Sequence, residues 1–127
     1  MRLLDADVLI DIVRGYLPAI RWLTTLNSET TGIPGPVAME VIEGCRNLQE
    51  ARRVERILRR FPVYWPTADD GNQALNSFAN HHLTHNLSAV DALIAECAIA
   101  LDATLVTFNV KHFRVYANLA TEQPYQR

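Results

Sequence analysis

The chain has 127 residues, of which 49% are hydrophobic, and its formal net charge at pH 7 is −2. This length predicts one domain spanning residues 1–127, large enough to build a hydrophobic core. No apolar stretch is long enough to span a membrane, and the N-terminus lacks a basic region followed by an apolar signal core. We therefore expect a soluble, cytoplasmic protein without a membrane partner.

Predicted strands and helices alternate along the chain. The first half is predicted to contain a strand at 2–4, helices at 8–14 and 18–26, a polar loop at 27–30, a strand at 31–34 and a helix opened by Pro36. The second half is predicted to contain a helix at 48–61, a strand at 62–66, helices at 68–86 and 89–101, a strand at 104–107, a loop or short helix at 108–113 and an edge strand at 119–121. This alternation indicates an α/β fold with a central parallel sheet flanked by helices on both faces.

Isolated acidic residues follow the strands of this predicted sheet. Asp5 comes directly after the first strand, Glu40 lies in the helix after the second, and Asp91 lies in the first turn of an otherwise apolar helix. Right-handed crossovers bring such positions to one edge of a parallel sheet, where ligands bind. Three carboxylates there would repel one another unless a cation lay between them, and oxygen ligands favour Mg²⁺ or Mn²⁺. The alternative is that these acids only cap helices or face solvent.

Four segments with these acids resemble the motifs of the PIN-domain nucleases, in the order of that family, and VapC-type toxins of toxin–antitoxin pairs in particular. The segments are 4–11 (LDADVLID), 36–44, 88–98 and 106–113 (VTFNVKHF). The resemblance implies a PIN-like fold and a Mg²⁺- or Mn²⁺-dependent endoribonuclease that hydrolyses RNA phosphodiester bonds. It places Asp5, Glu40 and Asp91 at the catalytic and metal-ligand positions, and it implies a homodimer that binds a cognate antitoxin protein.

The fourth motif departs from the family pattern. The family usually has an acid three residues after the motif's asparagine, whereas this chain has His112 three residues after Asn109. His112 could bind a softer metal, act as an acid or base, or contact phosphate, and Asp7 could supply part of the missing charge. This departure leaves open whether one or two metal ions bind. It also keeps an alternative function open, a catalytically impaired PIN-like module that acts through RNA or antitoxin contacts.

Other polar residues match supporting positions of the family. Thr107 and Asn109 correspond to residues that hold carboxylates or water, although a strand-end hydroxyl and a turn asparagine explain them equally well. The position of Arg14 resembles the arginine of the family's Asp-x-x-Arg-Gly, so its side chain could approach the scissile phosphate or an antitoxin carboxylate. The cluster of arginines between residues 46 and 60 is better explained as a solvated helix face than as an RNA-binding patch.

Several large apolar side chains exceed what a small core needs. We expect some of them to form the homodimer interface that the resemblance implies. These side chains are Trp22, Met39, Trp65 and Phe78.

Overall fold

The structure is a computed structural model, and it describes residues 1–27 and 29–127. This part of the chain contains five strands and six helices. Ser28, part of the loop predicted at 27–30, lies outside the described residues. The strands are β1 (Arg2–Leu4), β2 (Thr31–Pro34), β3 (Val63–Tyr64), β4 (Thr104–Val106) and β5 (Ala120–Glu122). The helices are α1 (Ala6–Val13), α2 (Leu17–Leu23), α3 (Gly35–Glu43), α4 (Leu48–Leu58), α5 (Ala68–His85) and α6 (Ala89–Ala100).

All the strands are parallel and form one sheet in the order β3-β2-β1-β4-β5. The chain winds outward from β1 through β2 to β3, then returns to the other side of β1 to form β4 and β5. Right-handed crossovers in these two directions place helices on both faces of the sheet. The predicted fold class is therefore confirmed. The reversal of strand order between β1 and β4 opens a crevice at the carboxyl edge of the sheet.

The central strands are buried on both faces, as expected for a parallel sheet. Leu3, Leu4, Ile33, Leu105 and Val106 have no exposed surface. Helix α6 is apolar on most of its circumference because it packs against the sheet, α3 and α5. Within the described residues, no helix has both the length and the apolar composition needed to cross a membrane.

The boundaries of several elements differ from the prediction. Helix α1 begins at Ala6 rather than at residue 8, because Asp5 is its N-cap. Helix α4 ends at Leu58 rather than at 61. The apolar periodicity continues to Phe61, but this side chain enters the core from the turn after the helix. Only two residues of the predicted strand 62–66 pair with β2, since the prolines at its ends have no N–H to donate. Helix α2 is also shorter than predicted, β4 ends one residue earlier, and β5 lies one residue later.

Two of the four side chains assigned to a dimer interface are exposed. Met39 is 61% exposed and Trp65 is 59% exposed, whereas Trp22 and Phe78 are partly buried against the core. The indole of Trp65 lies on Gly35 so closely that a Cβ at that position would collide with it. This contact holds an exposed aromatic ring in place beside the start of α3.

At micromolar concentration, we expect sedimentation equilibrium to show that the wild type is a dimer. The Trp65→Glu variant is expected to be a monomer, because burying an unpaired carboxylate in an apolar interface is unfavourable. Leu83→Glu is the control, since Leu83 is 87% exposed and lies near the C-terminal end of α5. A wild-type monomer, or a Trp65→Glu dimer as stable as the wild type, would contradict this expectation.

Candidate active site

Asp5 is a buried carboxylate at the point where β1 passes into α1. It is 5% exposed, its Oδ1 accepts a hydrogen bond from the backbone N–H of Ala6 (2.8 Å), and its Oδ2 accepts one from the hydroxyl of Thr107 (2.7 Å). The pKa of Asp5 is raised from its ordinary 3.8 to about 7, chiefly because the carboxyl group is buried. The negative charges of Asp7 and Glu40 also raise this pKa, whereas the hydrogen bonds from Thr107 and Ala6 lower it. The carboxyl group is thus oriented but poorly stabilised when ionised.

Asp7 lies next to Asp5 and links α1 to the turn after β4. Its Oδ1 accepts a hydrogen bond from the backbone N–H of Val8 (2.8 Å), and its Oδ2 accepts one from the backbone N–H of Phe108 (2.9 Å). Burial raises the pKa of Asp7, although these two hydrogen bonds lower it. Thr107 completes the link, because its fully buried hydroxyl donates to Asp5 and accepts from the backbone N–H of Asn109 (3.0 Å).

Glu40 and Asp91 approach the same region from α3 and α6, which pack against each other. Partial burial of its carboxyl group raises the pKa of Glu40, and the negative charges of Asp91 and Asp7 raise it further. Asp91 also belongs to a capping box, in which it accepts from the N–H of Ser88 (3.3 Å) and its own N–H donates to the Ser88 hydroxyl (3.0 Å). The structural explanation for Asp91 as a helix-start residue is therefore also present.

The four acids form an electrostatically coupled group at the carboxyl edge of the sheet. The pKa of Asp5 is raised by Asp7 and Glu40, and that of Glu40 by Asp7 and Asp91. No three His, Cys, Asp or Glu side chains among the described residues are already arranged around one point as a metal site. Convergence of Asp5, Glu40 and Asp91 on one ion stays a prediction. Their all-oxygen donors and mutual repulsion fit a hard divalent cation.

The remaining residues of the fourth motif lie in the turns after β4. Asn109 is exposed, and its backbone carbonyl accepts a hydrogen bond from the N–H of His112 (3.0 Å). His112 is half-buried. In the part of the chain that the structure describes, no hydrogen bond or ion pair involves the side chain of either residue, so their supporting roles stay predictions.

Arg14 and Glu40 line the same groove, which has a volume of about 270 Å³. The groove lies between α1, α3 and α4, and its walls are apolar except for three arginines and two glutamates. The arginines are Arg14, Arg46 and Arg53, and the glutamates are Glu40 and Glu50. The groove thus joins one acid of the coupled group to a basic surface.

Sequence reasoning missed a cluster around Asp11, one helical turn after Asp7 in α1. Asp11 is 9% exposed, and its Oδ2 accepts hydrogen bonds from the Tyr125 hydroxyl (2.8 Å) and from Nε of Arg127 (3.0 Å). More than 100 residues separate these partners in the sequence, and no motif connects them. Their meeting follows only from β5 lying beside β4, which directs residues 123–127 back over α1.

The comparisons with known proteins agree with the resemblance. Residues 2–118 match the family model of the PIN domain. The ribonuclease VapC10 of Mycobacterium tuberculosis is 33% identical over 125 residues, which cover 94% of this chain and 90% of the relative. The ribonuclease VapC19 of the same species is 30% identical over 132 residues, which cover 98% of this chain and 100% of the relative.

Solved structures show the same fold. A chain of a toxin–antitoxin complex from Klebsiella pneumoniae superposes with a TM-score of 0.80 at 23% identity, over 100% of both chains. VapC20 of Mycobacterium tuberculosis, described as a toxin that cleaves the sarcin–ricin loop, superposes with a TM-score of 0.74 at 16% identity, over 91% of this chain and 95% of that one. With the family match over most of its length, this chain belongs to the PIN-domain family and resembles its VapC ribonucleases.

Proposed function

We propose that this chain is an endoribonuclease that depends on a divalent cation, and that it is the toxin of a VapBC-type pair. The proposal rests on the coupled group of four acids at the carboxyl edge of the sheet, Asp5, Asp7, Glu40 and Asp91. There the negative charge of one acid disfavours ionisation of its neighbours. The names of the curated relatives, both ribonucleases, support the choice of RNA as substrate.

Asp5, Glu40 and Asp91 would hold the cation, Mg²⁺ or Mn²⁺. A bound cation would supply Lewis-acid polarisation of a phosphoryl oxygen and would make a neighbouring water more acidic. The chain's own contribution is orientation. The Thr107 hydroxyl and the N–H of Ala6 each donate a hydrogen bond to one oxygen of Asp5, so the carboxylate is oriented before substrate binds.

The groove beside Glu40 is the proposed binding surface for RNA and for the antitoxin. Arg14, Arg46 and Arg53 along its walls suit phosphates or carboxylates, because a guanidinium can donate two parallel hydrogen bonds to either group. Solved toxin–antitoxin complexes of chains with this fold support a protein partner for this one. An antitoxin segment in the groove would compete with RNA for Arg14.

His112 sets the expected metal preference. A site with histidine in place of a fourth acid offers less negative charge, which weakens the attraction of a hard ion such as Mg²⁺. Mn²⁺ accepts imidazole more readily and is expected to support activity at lower concentration. His112→Asp is expected to raise the affinity for Mg²⁺ towards that for Mn²⁺.

The proposal is tested by RNA cleavage with Mg²⁺, Mn²⁺ or EDTA, with both metals titrated for wild type and for His112→Asp. We expect cleavage with either metal, none with EDTA, and a smaller difference between the metals in the variant. RNA binding without cleavage under every metal condition would contradict the proposal and favour the binding module. Identical metal preferences of the two proteins would show that His112 lies away from the metal.

A further inference from the structure

Residues 123–127 lie across the start of α1 and the turn after β4. In this segment Tyr125 and Arg127 converge on the same oxygen of Asp11, from 2.8 and 3.0 Å. Arg127 also donates from Nη2 to the backbone carbonyl of Asp7 (3.3 Å). The segment therefore contacts α1 at two positions one helical turn apart, the backbone carbonyl of Asp7 and the carboxylate of Asp11.

The same two side chains contact the turn after β4 through Phe108. The guanidinium of Arg127 lies 4.1 Å from the centre of the Phe108 ring, and the ring of Tyr125 meets the Phe108 ring edge to face at 5.0 Å. Tyr16 and Trp22 contact the other sides of the Tyr125 ring, each with a centroid distance of 6.1 Å. Tyr125 is thus held by aromatic rings from the α1–α2 region and from the turn after β4.

Phe108 connects these contacts to the carboxylates of the candidate active site. Its backbone N–H donates to Oδ2 of Asp7, and the preceding residue, Thr107, donates to Oδ2 of Asp5. A shift of the turn would lengthen both hydrogen bonds together, because the two donors are adjacent in the chain. The segment 123–127 is therefore linked to Asp5 through two short paths, one along α1 and one through the turn.

We infer that Tyr125 and Arg127 are positioning residues, which hold Asp7 and the turn 107–109 so that the Asp5 carboxylate keeps its orientation. Neither residue contacts the Asp5 carboxylate in these hydrogen bonds, and their effect passes through Asp11, Asp7 and Phe108. The consequence for catalysis rests on the proposed nuclease function, whereas the effect on the hydrogen bonds of Asp5 and Asp7 does not.

The test compares Tyr125→Phe, which removes one hydroxyl and keeps the ring, with Arg127→Met, which keeps the aliphatic stem and removes the donors. Amide hydrogen exchange is measured by NMR in the metal-free protein. We expect the Phe108 amide to exchange about tenfold faster in both variants, because its hydrogen bond to the Asp7 carboxylate is weakened. Exchange in the central strand β1 is expected to stay within a factor of two, on the order of normal mutational scatter.

The matched control is Arg2→Met, which removes an ion pair of the same length, Arg2 Nε to Glu122 Oε2 at 3.0 Å. It is expected to leave the Phe108 amide and the kcat for RNA unchanged, whereas the two segment variants lower kcat about tenfold with little change in KM. Unchanged Phe108 exchange in both segment variants would overturn the inference. Faster exchange with wild-type kcat would overturn its catalytic part, and absence of cleavage by the wild type would count against the proposed function alone.

Discussion

Replacing Asp5 by asparagine is expected to abolish RNA cleavage and to stabilise the metal-free protein. Cleavage is expected to fall by at least about a hundredfold, because loss of a proposed metal ligand would remove several kcal/mol of transition-state stabilisation. The stabilisation has a different cause. The carboxylate of Asp5 is 5% exposed and its pKa is raised to about 7, so at pH 8 the folded protein keeps a buried charge that asparagine would not carry.

The pH dependence of stability follows from the same raised pKa. Between about pH 4 and pH 7 the folded protein holds a proton on Asp5 that the unfolded chain has released, so stability falls as pH rises through this window. Above pH 7 the full cost remains, on the order of 4 kcal/mol for a shift of this size. Asparagine removes this cost but loses one of two hydrogen bonds that Asp5 accepts, so we expect a net gain of about 1–3 kcal/mol at pH 8.

Urea unfolding at pH 5 and pH 8, with and without Mn²⁺, measures both effects. The difference in stability between Asp5→Asn and wild type is expected to grow with pH, and Mn²⁺ is expected to stabilise only the wild type. Asp102→Asn is the matched control, because Asp102 is exposed and its φ of 51° is a conformation that asparagine also tolerates. A variant that cleaves RNA like wild type, or that is less stable at pH 8, would contradict the expectation.

Asp91→Asn is expected to lower cleavage by about a hundredfold or more while the fold is kept, because the proposed cation would lose one of its ligands. Asparagine can still accept the hydrogen bond from the N–H of Ser88, so the capping box survives and only the negative charge is lost. Because Asp91 raises the pKa of Glu40, this pKa is expected to fall towards its ordinary value in the variant. NMR titration of the Glu40 carboxyl carbon in metal-free protein measures that change without any assay of activity.

Asp70→Asn separates catalysis from capping. Asp70 forms the same capping box with Thr67 at the start of α5, with hydrogen bonds of 2.8 and 3.2 Å. Both substitutions are expected to change the free energy of unfolding by less than about 1 kcal/mol, as for a dipole interaction at a helix start. Only Asp91→Asn is expected to lose activity and to lower the pKa of Glu40. Equal activity of the two variants would reduce Asp91 to a capping residue.

The fold class could be read from the sequence because its signals are local. Apolar strands bounded by proline or acids alternate with helices that have their own caps, and a parallel sheet is the arrangement that buries such strands. The errors lie where tertiary contacts replace local periodicity. Phe61 continues the apolar spacing of α4 but enters the core from a turn, and Asp5 starts α1 two residues earlier than apolar spacing alone indicates.

Asp5 and Asp91 of the candidate site could be singled out from the sequence by a strand end and a helix start, whereas Glu40, in the second turn of α3, depended on the motif resemblance. Their coupling depends on the strand order. Asp5 and Thr107 are 102 residues apart and meet only because β1 and β4 pair side by side at the reversal of the sheet. Asp91 matches the ligand pattern and also caps α6, so comparing Asp91→Asn with Asp70→Asn distinguishes the two roles.

The alternation of elements and the parallel sheet could be predicted from the sequence because each depends on neighbours within a few residues, and the candidate acids could be proposed from the same local patterns and the motif resemblance. The depth at which Asp5 is buried, the Thr107 hydroxyl that holds it, and the contacts of Tyr125 and Arg127 with α1 depend on the folded chain. Burial and long-range hydrogen bonds depend on strand order and on the path of the chain after β5. Neither leaves a periodic signal in the sequence, so the ionisation of the acids and the positioning of the turn emerge only when the chain is folded.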